Sequence, residues 1–403
     1  MKRTILILAA LLSCLLIFPV LPSGCVYPLE PREVEPEPEP EPDTTGTTPG
    51  TNPGTNPGTN PGTNPGTNPN PTPSRKTYSA EYIFSDPEFL LECLELSSAG
   101  RYIIRERTAS GKPRVLTGTY MTDTTTAVIL SGYGSVDVVP SGSKASVVVR
   151  RPGEADLTGS STIKRAPSKT LINKFARSWV LDKTRISLSE GLKINADLTG
   201  GDLGALAELL AKMNVKVDDL VGLQIIDLIV TRSGSLLLRC SDGRVYMMCC
   251  DFTDFETTQT FPFTLTDFLT GYAGGTGTGK VTFQPDSDIC VLVLEISFSR
   301  KDKNYKGSLT FVMKPASGVG LKGFTFTPEQ LSLQTGETRQ LQMNANPADG
   351  VCTALLQWAV SDSTVVSVSR AGVVTALAAG EATISVNDGK KHAGTCTVIV
   401  ANP

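Results

Sequence analysis

Residues 357–384 read QWAVSDSTVVSVSRAGVVTALAAGEATI, and the fold is decided there. Apolar and polar residues alternate through Trp358 to Val360, Val366 to Val368 and Val373 to Ala376, and Ser361-Asp362, Gly372 and Gly380 punctuate the runs. A period of two puts one face of each run on a core, and turn signals at intervals of roughly eight to twelve residues are the pattern of an antiparallel sandwich. Outward from this stretch, Phe326-Thr327-Pro328 with Leu331 to Leu333 supply an opening strand, and Thr335 to Thr338 a turn. Leu341 to Pro347 give a second strand and Cys396 to Val400 a closing one, with Trp358 expected in the core.

Across residues 320–402 these segments resemble the bacterial immunoglobulin-like domain of group 2. The resemblance implies a β-sandwich used in surface display or adhesion, or as a spacer, and no chemistry. Cys352 and Cys396 lie within it, and the spacing leaves bridged and unbridged thiols as open alternatives.

Upstream, residues 76–318 alternate helical and strand periods. Ser85 as N-cap with Glu88 three residues on, a Phe84–Phe89 staple and the apolar set Phe89, Leu90, Cys93 and Leu94 predict a helix over 85–98. Short strands follow from Arg101 to Arg150 as an antiparallel meander, giving a first α+β unit over 76–166. The pattern restarts over 167–318, with a helix capped by Ser168, strands from Trp179 to Leu188, a helical stretch from Asp202 to Asn214, and strands from Ile225 to Lys314. Two related units and one longer barrel both fit. Through Trp179 and the run Gly234 to Leu238 the second unit resembles the lipocalin-like lipoproteins of Bacteroidetes, which implies a barrel able to hold a small apolar ligand or filled by its own side chains. The expected fold class is mainly β with a few helices.

The first 75 residues are of another kind. Lys2 and Arg3, the apolar run Thr4 to Leu21, and Ser23-Gly24 before Cys25 read as a secretory signal over 1–25, with a cleaved signal releasing a soluble protein and an uncleaved anchor as alternatives to lipid attachment. Leu21 to Cys25 resembles a lipobox, with Pro22 where an aliphatic residue is expected. The resemblance implies that Cys25 carries the lipid and that the chain is an outer-membrane lipoprotein of the bacterial envelope; Cys14 would leave apolar residues exposed. Residues 26–75 alternate Glu and Pro, then repeat Thr-Asn-Pro-Gly four times from Thr51 to Gly66. Without apolar residues no core forms, and a disordered linker is expected.

Charge excludes one class of partner. Glu30, Glu33, Glu35, Glu37, Glu39, Glu41 and Asp43 face only Arg32 in the linker, and the rest is close to balance with no basic stripe for nucleic acid.

No catalytic, cofactor or metal constellation is expected. Gly274 to Lys280 spell a near P-loop, but Val281 stands where Ser or Thr would hold magnesium and strands follow, so a glycine-rich hairpin loop is predicted. His392, the single histidine, is placed in a solvated hairpin. Cys249 and Cys250 point to opposite faces of a strand and cannot share a metal. Asp251 and Asp254 would need to face each other to act as a hydrolytic pair, and the aromatic run Phe252, Phe255, Phe261, Phe263, Phe268 and Tyr272 is read as core. The chain is therefore expected to be non-enzymatic, with a membrane, through its lipid, and a glycan, protein or small apolar ligand as partners; a carboxylate-dependent hydrolase in the middle region and a purely structural spacer are the alternatives.

Overall fold

Tyr102, Ile104, Tyr120, Val136 and Val147 recur at strand spacing with one common face, and that face closes on itself. A computed structural model describes residues 80–402, apart from 109–113, 123–126, 168, 189–193, 213–220, 266–275, 301–302 and 353. The signal, Cys25 and the linker lie outside the described residues, as do Phe268 and Tyr272.

Strands β1 (Ala80–Ile83), β2 (Leu91–Leu96), β3 (Arg101–Glu106), β4 (Arg114–Thr122), β5 (Ala127–Leu130), β6 (Gly134–Ser141), β7 (Lys144–Arg150) and β8 (Leu157–Arg165) follow one another around a closed antiparallel barrel. The helix expected over 85–98 is not formed: residues 85–90 are turn and β2 takes the rest. A bulge explains the misreading. Leu91 and Cys93 pair with the consecutive residues Glu106 and Arg105 of β3, so Leu91, Leu94 and Leu96 enter the core at a spacing of three and then two. The extra residue imitates a helical interval. Phe84 and Phe89 do meet, with ring centroids 4.7 Å apart, but across a turn in which Asp86 accepts from the Glu88 amide.

The second sheet begins with helix α1 (Thr170–Phe175), then β9 (Ser178–Leu188), β10 (Ile194–Thr199) and helix α2 (Leu203–Lys212). It continues through β11 (Ile225–Val230), β12 (Ser235–Cys240), β13 (Val245–Cys250), helix α3 (Phe255–Thr258), β14 (Thr260–Leu265), β15 (Thr276–Phe283), β16 (Cys290–Arg300) and β17 (Lys303–Pro315). β17 returns along β9, whose other edge takes β11 at Ser178–Trp179 and β10 beyond, so eight strands close with β10 as an extra arm. Asp202 Oδ1 caps α2 at the Ala205 amide, 3.2 Å away. Ser168 lies outside the described residues; Lys169 is the N-cap of α1 without a side-chain cap bond, and Glu256 of α3 accepts from the Ile172 amide at 2.9 Å.

The glycine-rich run is not a hairpin loop where it is described, because Gly277 and Gly279 lie inside β15. They pair directly with Phe263 and Phe261 of β14, and a Cβ on either would sit 2.2 Å from the facing ring. The missing side chains make room for aromatics to lie over the neighbouring strand. The first barrel repeats the device, with Tyr102 over its partner Gly118 and Phe89 over Gly159.

The C-terminal strands are β18 (Gly323–Thr327), β19 (Gln330–Gln334), β20 (Thr338–Gln340), β21 (Gln342–Asn346), β22 (Gln357–Val360), β23 (Val366–Val368), β24 (Val373–Ala376), β25 (Gly380–Asn387) and β26 (Ala393–Ala401). They form sheets ordered β18-β21, β19-β26-β25-β22 and β20-β24-β23 around one core, the sandwich expected from the alternation. Trp358 departs from expectation. Its strand β22 is the sheet edge, so the ring is only half-buried, 6.1 Å from Phe326, with its indole N–H unpartnered among the described residues. Cys352 and Cys396 are buried in this core and not bonded to each other.

Candidate functional site at the three-way junction

The outer wall of the first barrel carries apolar residues that a lone barrel would leave in water. Met121 and Ile129 belong to the core of the sandwich, and Ile103 and Val115 pack with Ile229, Leu237 and Met247 on the wall of the second barrel. Main-chain bonds reinforce the first contact: Gly132 donates to the Met343 carbonyl at 3.1 Å and Leu356 to that of Thr122 at 3.0 Å. All described residues fall in one compact unit.

Charged groups converge where the three parts meet. Asp349, in the loop after β21, accepts from Arg101 of the first barrel at 3.2 Å and from Arg239 of the second at 3.0 and 3.1 Å. Burial works against its charge, but the hydrogen bonds and field of Arg239 and Arg101 prevail and hold the carboxyl below its ordinary range. Arg239 also grips the buried Asp227 through Nε at 2.7 Å and through Nη2. One sandwich carboxylate thereby ties an arginine from each barrel, a charge-assisted bidentate geometry on the Arg239 side.

A second contact lies along the wall between the barrels. Glu95 of β2 is 1 % exposed and accepts from Ser233 Oγ and, at 2.7 Å, from Ser235 Oγ in the β11–β12 hairpin. Gly234 holds that hairpin at φ +105°, with Cys250 O so close that a side chain could not enter. Arg105 reaches Glu92 at 2.5 Å and Cys249 Sγ at 3.9 Å.

The residues singled out in the sequence lie elsewhere. Asp251 and Asp254 lie at the turn into α3: Asp251 Oδ1 accepts from the Thr253 amide and hydroxyl at 2.9 and 2.6 Å, and the Asp254 carbonyl takes the first turn of α3. Cys250 faces the second core and Cys249 the inter-barrel wall, on opposite faces as expected. Phe252, Phe255, Phe261 and Phe263 are buried in that core with Phe175 and Trp179. His392 corrects the reading of a solvated side chain: its Nδ1 lies 2.6 Å from Oδ2 of the buried Asp388, and its side chain is 16 % exposed. That carboxyl is desolvated, yet hydrogen bonds from His392 and from the Lys390 and His392 amides lower its pKa overall. The junction residues themselves gave no signal in the sequence, because Asp349 and its two arginines are separated by 110 and 248 positions.

Two of the open grooves among the described residues carry charged side chains. One of about 670 Å³ runs between the first barrel and the sandwich, lined by Asp137, Arg150, Ser369 and Arg370. Arg150 there is engaged by Asp137 at 2.6 Å and Asp156 at 3.0 Å. The other, about 500 Å³, lies beside Lys174, Gln284, Asp286 and Asp288. Among the described residues no cluster of three or more His, Cys, Asp or Glu is placed to hold a metal.

Residues 321–398 match the bacterial Ig-like domain (group 2). The Ig-like domain is thus the whole C-terminal sandwich, and it contributes Asp349 and one wall of the larger groove. No curated protein matches the chain. Among solved structures, the surface layer protein SbsC (domains 1–6) aligns at 11 % identity and TM-score 0.20, covering 83 % of this chain and 52 % of that one. Invasin, a bacterial integrin-binding protein, aligns at 11 % identity and TM-score 0.16, covering 80 % and 72 %. The chain spans about half the length of the surface-layer structure, and scores of this size support no argument about this chain.

Proposed function

We propose that the chain is a non-enzymatic, envelope-tethered lipoprotein of the bacterial outer membrane that presents a β-rich head to a protein or glycan partner. In this reading residues 1–25 export the chain, Cys25 carries the lipid, and residues 26–75 hold the head clear of the membrane. The head comprises units over 76–166, 167–318 and 320–402. The observation that carries the reading is the welding of an Ig-like domain to a barrel wall through Met121 and Ile129, which suits a presenting surface better than a flexible spacer. Aromatics occupy the second barrel, the lipocalin-like unit, so a small apolar ligand has less claim than a partner on the polar groove at Arg150 and Arg370.

Growth with labelled fatty acid tests the tether. Cys25→Ala is expected to abolish incorporation and Cys14→Ala to leave it intact; undiminished label in the Cys25 variant removes the anchor. Binding of the full chain to glycan and protein arrays tests the head, with loss on Arg370→Glu expected for any ligand of the groove.

A further inference from the structure

The wall between the barrels holds an imbalance of charge. Viewed across the strands of the first barrel, Lys164, Glu81, Glu95 and Ile103 occupy one row, paired β8–β1–β2–β3, and Cys93, Arg105 and Val115 the next. Lys164 lies 3.8 Å from Glu81, and Arg105 2.5 Å from Glu92. Each cation of this patch is thus matched to a carboxylate. Glu95 is left over: directly opposite the like-charged Glu81, buried, and with no cation within ion-pair distance among the described residues. A buried carboxylate without a counter-ion is costly, and like charges facing across strands add to the cost.

From the second barrel the groups that face it are hydroxyls and a thiol. Ser233 and Ser235 donate to Glu95, Ser233 Oγ lies 3.4 Å from Thr231 Oγ1, and Cys249 stands beside Arg105. Hydroxyls serve both charge states. They donate to the carboxylate, and Ser233 can accept from the protonated acid while turning its own hydrogen to Thr231.

We propose that this wall is a proton-operated latch: with Glu95 protonated the barrels stay closed on each other, and with Glu95 ionised they part and let water reach the carboxylate. The proton passes to bulk solvent, and no bond between heavy atoms changes. Desolvation first, and Glu81 second, raise the Glu95 pKa from 4.5 to about 7 in the closed state. A raised acid pKa favours closure fully below the ordinary value and loses that contribution as pH climbs through the raised one, so the latch loosens between about pH 4.5 and 7. The proposal is independent of the tether and of any partner of the head.

Cys93 and Cys249 sit in the wall and report on it. Burial pushes the Cys93 thiol up to about 12, so reaction with an uncharged maleimide requires opening. In the full chain, labelling of the buried Cys93 is followed by peptide mass spectrometry for wild type and Glu95→Gln, and their rates are compared as a ratio. The thiol's own ionisation then cancels. The ratio of wild type to variant is expected to rise on the order of tenfold from pH 5.5 to pH 8; an unchanged ratio overturns the latch. If Glu95→Gln does not fold, wild-type Cys93 is referred to Cys396, a buried thiol of the Ig-like domain. The same rise in that ratio supports the proposal and a constant ratio overturns it.

Discussion

The two barrels close with the same number of strands and are filled in opposite ways. In the first, Tyr82, Tyr102, Tyr120 and Tyr133 enter the core, and three of their hydroxyls end on acceptors at the rim: Tyr102 on Ser131 O and Tyr120 on Ser97 O at 2.9 Å, Tyr133 on Glu106 at 2.8 Å. In the second, Phe175, Trp179, Phe252, Phe255 and Phe261 pack ring against ring, stacked for Phe175–Phe255 with centroids 5.5 Å apart and edge-on for Phe252–Phe261 at 5.0 Å. Tyrosine filling needs polar partners and pins the loops that supply them, because a buried hydroxyl without a bond is costly. Phenylalanine filling needs only volume, which the short helices α1 and α3 cap and the strand glycines provide.

The contrast can be broken at its centre. Phe261→Ala removes the ring shared by four others and lying over Gly279, and is expected to destabilise the second barrel by ~3–5 kcal/mol in urea unfolding followed by tryptophan fluorescence. A cost near 1 kcal/mol would mean that the aromatic stack is not what holds that barrel. Gly279→Ala should cost ~1–3 kcal/mol, because the new methyl would overlap the Phe261 ring. Combined with Phe261→Ala that cost should largely vanish, and simple additivity would refute the pairing. The smallest effect belongs to the tyrosine barrel. Tyr102→Phe loses one hydrogen bond to Ser131 and keeps the ring over Gly118, so ~0.5–1.5 kcal/mol is expected from the same unfolding experiment.

These pairings also mark where the sequence could be read. β7 is legible because one face is core and strict alternation follows, whereas β3 and β11, covered on both faces, are legible as short β-rich runs between turn signals. The segment 91–96 was not, because both faces are covered, the inner by the barrel core and the outer by the second barrel, and the bulge breaks the period. β8 escaped notice for the opposite reason. Its residues Leu157 to Arg165 are polar and mostly exposed, and it is a strand because the barrel must close on β1. The aromatics at 252, 255, 261 and 263 read as core and are buried there, whereas the glycines at 277 and 279 read as loop because nothing near them in the chain shows which rings lie over them.

By itself the sequence determined what depends on near neighbours: the alternation of the Ig-like sandwich, the helix after Asp202, the opposed faces of Cys249 and Cys250, and the failure of the phosphate-loop spelling at Val281. Only the tertiary structure decided that the middle region is two closed barrels, that Asp349 joins Arg101 to Arg239, and that Glu95 is buried against Ser233 and Ser235. Periodicity is a local consequence of backbone geometry. Closure, burial and charge pairing instead depend on which distant surfaces meet, and no spacing along the chain encodes that.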